Sequence, residues 1–174
     1  MVYDIPDGNA ELVRGEVRVS PWPSLAHGAV VAEIFERLII HVRAGQLGQV
    51  FTNAGFELIE LPRTVRAPDV AFVRADRLPA GGLEPTFRRI APDLAVEVLS
   101  PSETRARIRE KLDDYRASRI PLVWLIDPRV RTVTVVEGDL PDRRLGESDT
   151  LDGGEAVRGF SCEIRELFVG LVKR

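Results

Sequence analysis

Polar and apolar residues alternate on both sides of a glycine near the start of the chain. Residues 11–14 and 16–19 carry this alternation about Gly15, and the pattern predicts a small N-terminal β-hairpin. Residues 1–10 show no comparable pattern, so we expect a loose arm before the hairpin. The Pro-Trp-Pro sequence at residues 21–23 should end the hairpin, because proline has no backbone N–H to donate to a neighbouring strand.

The next segment has the apolar spacing of a helix that packs against a core on one side. Ser24 can cap its start and Gly45 follows its end, so a helix is predicted over residues 24–44. The apolar positions that recur at helical spacing are Val30, Ile34, Leu38 and Ile39. One stripe of this helix should therefore face the core.

Most of the remaining apolar residues lie in short runs that are typical of strands. The tight turn signal at residues 53–55 predicts that the first two runs pair with each other. The runs at 94–99 and 122–126 are almost continuously apolar, as in strands covered on both faces. The predicted strands are residues 49–52, 56–61, 70–73, 94–99, 122–126 and 131–137.

A second helix is predicted directly after the apolar run at 94–99. Ser100, Pro101 and Glu103 have the spacing of a capping box with proline at the first helical position, and the helix should run to about Ser118. The segments outside these elements are an irregular loop at 74–92, a polar hairpin or loop at 138–154 and a short terminal helix or strand at 164–171.

The order of the elements defines the expected fold. It is hairpin, helix, four strands, helix and two strands, which indicates a mixed α/β domain with a central β-sheet flanked by helices. With 174 residues and a mass of 19.3 kDa, the chain is expected to form one domain over residues 1–174.

Composition narrows the function classes. The net charge of −3 and the pI near 5.5 exclude a polycation that coats nucleic acid or anionic membranes, but leave room for a locally basic site. The single cysteine, Cys162, is too little for a disulfide or a thiolate zinc site. The N-terminus shows no secretory signal, and charged residues interrupt the apolar segment at 25–42, so we expect a cytoplasmic protein without a membrane span.

Two carboxylates stand within or next to predicted apolar strands, where a charged side chain is unexpected. Glu97 interrupts the most hydrophobic strand, where a buried ionised carboxylate must be paired, protonated or bound to a metal. Asp69 opens the strand at 70–73, which is expected to lie nearby. Together they favour a hard cation such as Mg²⁺ or Mn²⁺. The alternatives are a Glu97 bonded to a neighbouring arginine and an Asp69 that satisfies backbone amides in its turn.

Lys111 is the third candidate. Only two of the 24 basic residues are lysines, which suggests that Lys111 does something a guanidinium cannot. Its place on the second helix beside apolar neighbours would let its ammonium reach the carboxylates. The alternative is an exposed lysine paired with Glu110 or Asp114.

Supporting residues are less distinct. Glu16, only marginally ahead of Glu11, is the candidate for completing a metal shell from the hairpin. His27 is preferred over His41, the other histidine of the first helix, for a supporting role.

The second helix is also rich in arginine, and Arg105 and Arg109 are candidate phosphate contacts. The alternative is a solvated helix face balanced by acidic residues. These charges are not interleaved with an aromatic platform, so base stacking on single strands is not indicated. The other arginines in this set are Arg107, Arg116 and Arg119, with Arg88 and Arg89 in the preceding loop.

The acids and the lysine resemble the core of the PD-(D/E)XK phosphodiesterases. The common form has a lysine two residues after the second acid, where this chain has Leu99, but some branches place it on the following helix, as Lys111 would be. The chain is more closely similar to the Uma-two family of restriction-endonuclease-like proteins, from residues 11–17 to residues 159–161. The most specific segments are APDVAFV at 67–73, LAVEVLSPS at 94–102, Lys111 with Tyr115, and VWLIDP at 123–128.

This resemblance implies a restriction-endonuclease-like sheet, with Asp69 and Glu97 as metal ligands and Lys111 as the third polar group of the site. The expected function is metal-dependent hydrolysis of DNA, and a homodimer would suit a two-stranded substrate. Arg107 departs from the family pattern, because an acidic residue often stands four positions before the helix lysine. The alternatives are a catalytically inactive relative that serves binding or dimerisation, and a small-molecule hydrolase.

Overall fold

The computed structural model describes residues 9–83 and 90–172. Arg88, Arg89 and most of the predicted arm lie outside these ranges, and the first strand already begins at Asn9. The elements are β1 (Asn9–Val13), β2 (Glu16–Ser20), α1 (Leu25–Ala44), β3 (Gly48–Thr52), β4 (Phe56–Ile59), β5 (Thr64–Arg66), β6 (Val70–Arg74), β7 (Leu94–Val98), α2 (Arg105–Ala117), β8 (Leu122–Asp127), β9 (Thr132–Glu137), β10 (Arg143–Leu145), β11 (Thr150–Asp152) and β12 (Ser161–Glu163). Short 3₁₀ helices cover Ala75–Arg77 and Ile164–Phe168.

A six-stranded mixed sheet forms the centre of the fold, in the order β10-β9-β8-β7-β6-β3. Strands β7 and β8 are parallel and the other neighbours are antiparallel. Helix α2 connects the parallel pair, because two parallel strands need a crossover. This arrangement confirms the predicted mixed α/β fold with its N-terminal hairpin.

The helices cover opposite faces of the central pair of strands. The buried stripe of α1 contains Val30, Ile34, Leu38 and Val42, and it shares one core with Trp124 of β8. On the other face, Tyr115 of α2 packs with Ala95 and Val123. Strands β7 and β8 are therefore covered on both sides, as their continuous apolar runs predicted. Neither α1 nor α2, the two longer helices in the described ranges, has the combination of length and apolarity needed to cross a bilayer.

The predicted pairing of the two strands around residues 53–55 is wrong. Strand β3 joins the central sheet beside β6, whereas β4 pairs with β5 in a second sheet of order β2-β1-β5-β4. The reason is burial: Val50 of β3 packs in the main core with Phe72, while Phe56 of β4 belongs to a separate cluster. The chain therefore passes from one sheet to the other at the segment that resembles a hairpin turn.

The second helix begins later than its capping signal predicts. Its N-cap is Thr104, whose hydroxyl accepts from the Arg107 amide, and not Ser100. The Ser100 hydroxyl instead bonds Ser102, while the Glu103 carboxylate accepts from the Ser100 amide at 3.0 Å. One of the two capping-box contacts thus forms in a turn that precedes the helix.

Candidate active site

A cleft of about 150 Å³ opens where β7 ends and β6 begins. It is bordered by the start of α1, the inner face of α2 and the first strand of the smaller sheet. Its lining brings together Asp69, Glu97, Lys111 and His27, four of the residues singled out from the sequence. The remaining charged residues that line it are Glu11, Glu103 and Arg107.

Asp69 is held from two sides. Its Oδ2 accepts a 2.7 Å hydrogen bond from the Val98 amide of the neighbouring strand, and its Oδ1 lies 3.2 Å from His27 Nε2. Burial lowers the pKa of His27, but the Asp69 carboxylate outweighs this effect and leaves that pKa above its usual value. Asp69 therefore does accept a backbone amide, as the alternative proposed, but the amide belongs to the strand that carries Glu97.

Glu97 is the most deeply placed acid of the cleft, with 4% of its surface exposed. Its Oε1 accepts from the hydroxyl of Tyr115 and its Oε2 accepts from Lys111 Nζ at 2.8 Å. Burial raises the pKa of Glu97 to about 7, although Lys111 opposes the shift; the carboxylates of Asp69 and Glu11 add to it. The partners are a lysine and a tyrosine, not the arginine of the alternative interpretation.

Lys111 points its ammonium into a ring of carboxylates. Its Nζ lies 2.8 Å from Glu97, 3.8 Å from Glu11 and 3.9 Å from Glu103. Burial lowers the pKa of Lys111, but these carboxylates outweigh it and hold the pKa above its usual value. The lysine and Tyr115 reach the same carboxylate because residues four apart share one face of a helix. Sequence reasoning missed the hydrogen bond of Tyr115, although this spacing is a signal for it.

The hairpin supplies Glu11 to the cleft, not Glu16. Glu11 Oε1 accepts from the Ala67 amide at 3.0 Å, and its Oε2 accepts from Arg66 Nη1 at 3.0 Å. Glu16 is exposed and pairs with Val13 at the turn end of the hairpin. Glu16 lies on the same face of the hairpin as Glu11 but nearer the turn, and it does not line the cleft. The acid that the hairpin brings to the cleft is therefore Glu11, and the marginal preference for Glu16 is wrong.

Among the arginines of α2, Arg107 lines the cleft. Arg105 and Arg109 are exposed and are not among the lining residues. Two residues turn a helix by about 200°, so side chains on either side of Arg107 face away from the site. Phosphate contact by Arg105 and Arg109 therefore stays a prediction for the surface outside the cleft, and Arg107 is the arginine of α2 that lines the cleft itself.

The other histidine and a buried network lie outside the cleft lining. His41 Nε2 is 2.9 Å from the Arg158 carbonyl oxygen, so α1 does not bring its two histidines together. Arg66, which holds Glu11, donates to Asp114 from Nε at 2.9 Å and from Nη2 at 2.6 Å. This pair was not predicted, because its residues are 48 positions apart.

The donor chemistry of the cleft fits a hard divalent cation. Four carboxyl groups face two cationic side chains, so acidic groups outnumber the lysine and arginine of the lining. Within residues 9–83 and 90–172, no three His, Cys, Asp or Glu side chains are placed to hold one ion together. Mg²⁺ commonly uses only one or two protein carboxylates, with water and substrate phosphate as further ligands, so two carboxylates of this cleft would be enough protein donors for it.

The fold and the acidic cleft at the end of its parallel strand pair define a nuclease-like α/β protein. The chain belongs to the Uma2 family, described as "Putative restriction endonuclease", which it matches over residues 2–165. It is also similar in structure to a nuclease of the DUF820 group from Anabaena variabilis ATCC 29413, described as putative, with a TM-score of 0.82. That likeness covers 91% of this chain and 89% of the other at 20% identity. No curated protein matches the sequence.

Proposed function

We propose that this protein is an endonuclease that hydrolyses phosphodiester bonds of DNA with the help of Mg²⁺ or Mn²⁺. The observation that carries the proposal is Glu97, a buried carboxylate aimed into a cleft that Asp69 and Lys111 also line. A buried carboxylate is costly unless it is paired, and the partner of Glu97 is Lys111, whose side chain lines the same cleft. Family membership supports the same class of reaction.

Each residue has a separate task in this reaction. Asp69 and Glu97 hold the ion; the Val98 amide and His27 orient Asp69, and Tyr115 orients Glu97. A bound divalent ion lowers the pKa of a water ligand and neutralises charge on the phosphate. Lys111 orients the attacking water or stabilises the phosphorane oxygens, while that water forms a bond to phosphorus and one ester P–O bond breaks.

Plasmid cleavage tests the proposal. Supercoiled plasmid should be nicked or linearised by the protein in Mg²⁺ or Mn²⁺ but not in EDTA, and Asp69→Asn should lower the rate at least about 100-fold because a metal ligand is lost. Arg129→Met, which alters an exposed residue outside the cleft, is the matched control and should cut normally. Equal cutting by the parent and Asp69→Asn would overturn the proposal.

The third acid of the site gives a second prediction. Glu11→Gln should lower the Mn²⁺-dependent rate about 10- to 100-fold, because Glu11 adjoins Lys111 and supports the arrangement of the cleft. Glu16→Gln changes the same residue type at the exposed end of the same hairpin and should leave the rate unchanged. The measurement is the initial rate as a function of Mn²⁺ concentration. Equal losses in the two variants would contradict the assignment of Glu11.

A catalytically inactive binding or dimerisation module is the second candidate function. It is favoured by the fact that Asp69, Glu97 and Glu11 each already accept hydrogen bonds from the protein. The edge strand β2 also exposes 68% of Val17, an apolar surface that a second copy would cover. Absence of cutting, with no thermal shift in Mn²⁺ and a dimer by light scattering, would favour this function over the nuclease.

A further inference from the structure

An exposed tryptophan stands in the segment 21–23, which forms the rim of the cleft through the two residues that flank it. Trp22 lies in the segment between β2 and α1, and 67% of its surface is open to solvent. Its two neighbours, Pro21 and Pro23, both line the cleft that contains Asp69 and Glu97. The two prolines restrict the backbone on either side of the indole, so little conformational entropy is lost when the ring binds a partner.

The exposure of Trp22 differs from that of the other tryptophan. Trp124 is fully buried and packs against Phe160, with ring centroids 5.5 Å apart. An indole at the surface forgoes this burial, and an exposed aromatic next to a polar cleft is a common arrangement where a flat ligand stacks. Leu25, two residues after Pro23, is 95% exposed and is not among the residues that line the cleft.

The chemistry of the rim and the cleft fits a nucleotide strand whose bases are not paired. Arg107 and Lys111 supply positive charge inside the cleft for the phosphate, together with the ion proposed above. An indole outside the cleft offers a π-face to a base, and such stacking tolerates any base because every base has a π-face. A duplex base would first have to leave its stack, at a cost of a few kcal/mol.

From this juxtaposition we infer that Trp22 is a stacking residue for an unpaired nucleobase next to the phosphate held in the cleft, so that the protein prefers single-stranded DNA or unpaired segments. The inference rests on the proposed nuclease function and deepens it. The aromatic ring thus comes from the loop before α1 and not from the arginine-rich helix α2. Trp22 is thereby a specificity-determining residue.

Tryptophan fluorescence tests the inference without any turnover. With excitation that only tryptophan absorbs, the emission has one exposed contributor, Trp22, and one buried contributor, Trp124. A short single-stranded oligonucleotide, added in Mg²⁺, should quench the exposed emission and protect it from acrylamide, whereas the matching duplex should do so far less. In Trp22→Phe the remaining emission should not respond to the oligonucleotide.

The affinities of Trp22 variants for single-stranded DNA measure how much the indole contributes to binding. Trp22→Ala should weaken binding of the single strand about 5- to 100-fold, the range expected for losing one stacked base, and Trp22→Phe should retain most of the affinity. Leu25→Ala removes an exposed apolar side chain close by without removing an aromatic ring, and should change affinity little. Binding is measured by anisotropy of a labelled oligonucleotide in the same buffer.

The outcomes separate this inference from the proposed function. Plasmid cutting that depends on Asp69, with no effect of Trp22→Ala and no quenching, would overturn the stacking role and leave the nuclease standing. Quenching and weakened binding without any cutting would support the stacking role while the nuclease proposal fails. In the free protein, the Trp22 emission should be open to acrylamide. If it is already protected, and more so as the protein concentration rises, Trp22 lies in a protein interface and the inference is overturned.

Discussion

Lys111→Met is expected to lower the free energy of unfolding by about 2–4 kcal/mol and to abolish cleavage. The substitution keeps most of the apolar stem but removes the ammonium that lies 2.8 Å from Glu97. A carboxylate that is 4% exposed then lacks its cation, and removing one partner of a buried pair is strongly destabilising. The measurement is urea unfolding beside the plasmid assay.

A double variant separates stability from catalysis in this prediction. Glu97→Gln together with Lys111→Met removes both charges, so the free energy of unfolding should return to within about 1 kcal/mol of the parent while cleavage stays absent. Glu97→Gln alone should lower the free energy of unfolding less than Lys111→Met, because the Lys111 ammonium still has the carboxylates of Glu11 and Glu103 as partners. A Lys111→Met protein as stable as the parent would show that Glu97 does not depend on the lysine.

Arg66→Met is expected to cost about 3–5 kcal/mol of unfolding free energy. Arg66 and Asp114 are 3% and 2% exposed, and the guanidinium donates twice to the carboxylate of Asp114 and once to Glu11. Without it, one buried carboxylate loses its main partner and the smaller sheet loses one of its attachments to α2, while the ion pairs of Glu110 with Arg14 and Arg18 remain. The loss should appear as a lower urea midpoint with an unchanged slope.

An exposed arginine in the turn before β5 is the matched control for this change. Arg63 pairs with Glu57 at 3.1 Å, but about half of its side chain is solvent-accessible, so Arg63→Met should change stability by less than about 1 kcal/mol. Replacing Asp114 as well, in Arg66→Met/Asp114→Leu, should restore part of the loss because no buried charge remains. Equal effects of the Arg63 and Arg66 variants would show that burial does not govern these pairs.

Those parts of the fold that depend on local signals could be predicted from the sequence. Helix α1 begins after Ser24 and ends before Gly45, because the cap and the apolar period agree. Strands β7 and β8 follow from their continuous apolar runs, since both faces are buried. The convergence of Asp69 and Glu97 follows as well, because each stands at the end of a strand in one sheet.

The features that could not be predicted from the sequence depend on contacts between residues far apart in the chain. Whether β4 pairs with β3 or with β5 is decided by which core accepts Phe56, and no turn signal contains that information. The choice between Glu11 and Glu16 depends on how far along the hairpin ladder the cleft lies. A local competition displaced the start of α2, since the Ser100 hydroxyl bonded Ser102 in preference to capping a helix.

The amine of this site is carried by a helix, while the acids stand on strands whose register is fixed by their neighbours. Leu99, two positions after Glu97, is free to remain apolar for that reason. The arrangement has a weakness: one residue inserted between Lys111 and Asp114 would rotate the amine by about 100° relative to Asp114 and Tyr115, which anchor the helix in the core. Insertions in this short stretch should thus abolish cleavage in a protein that still folds.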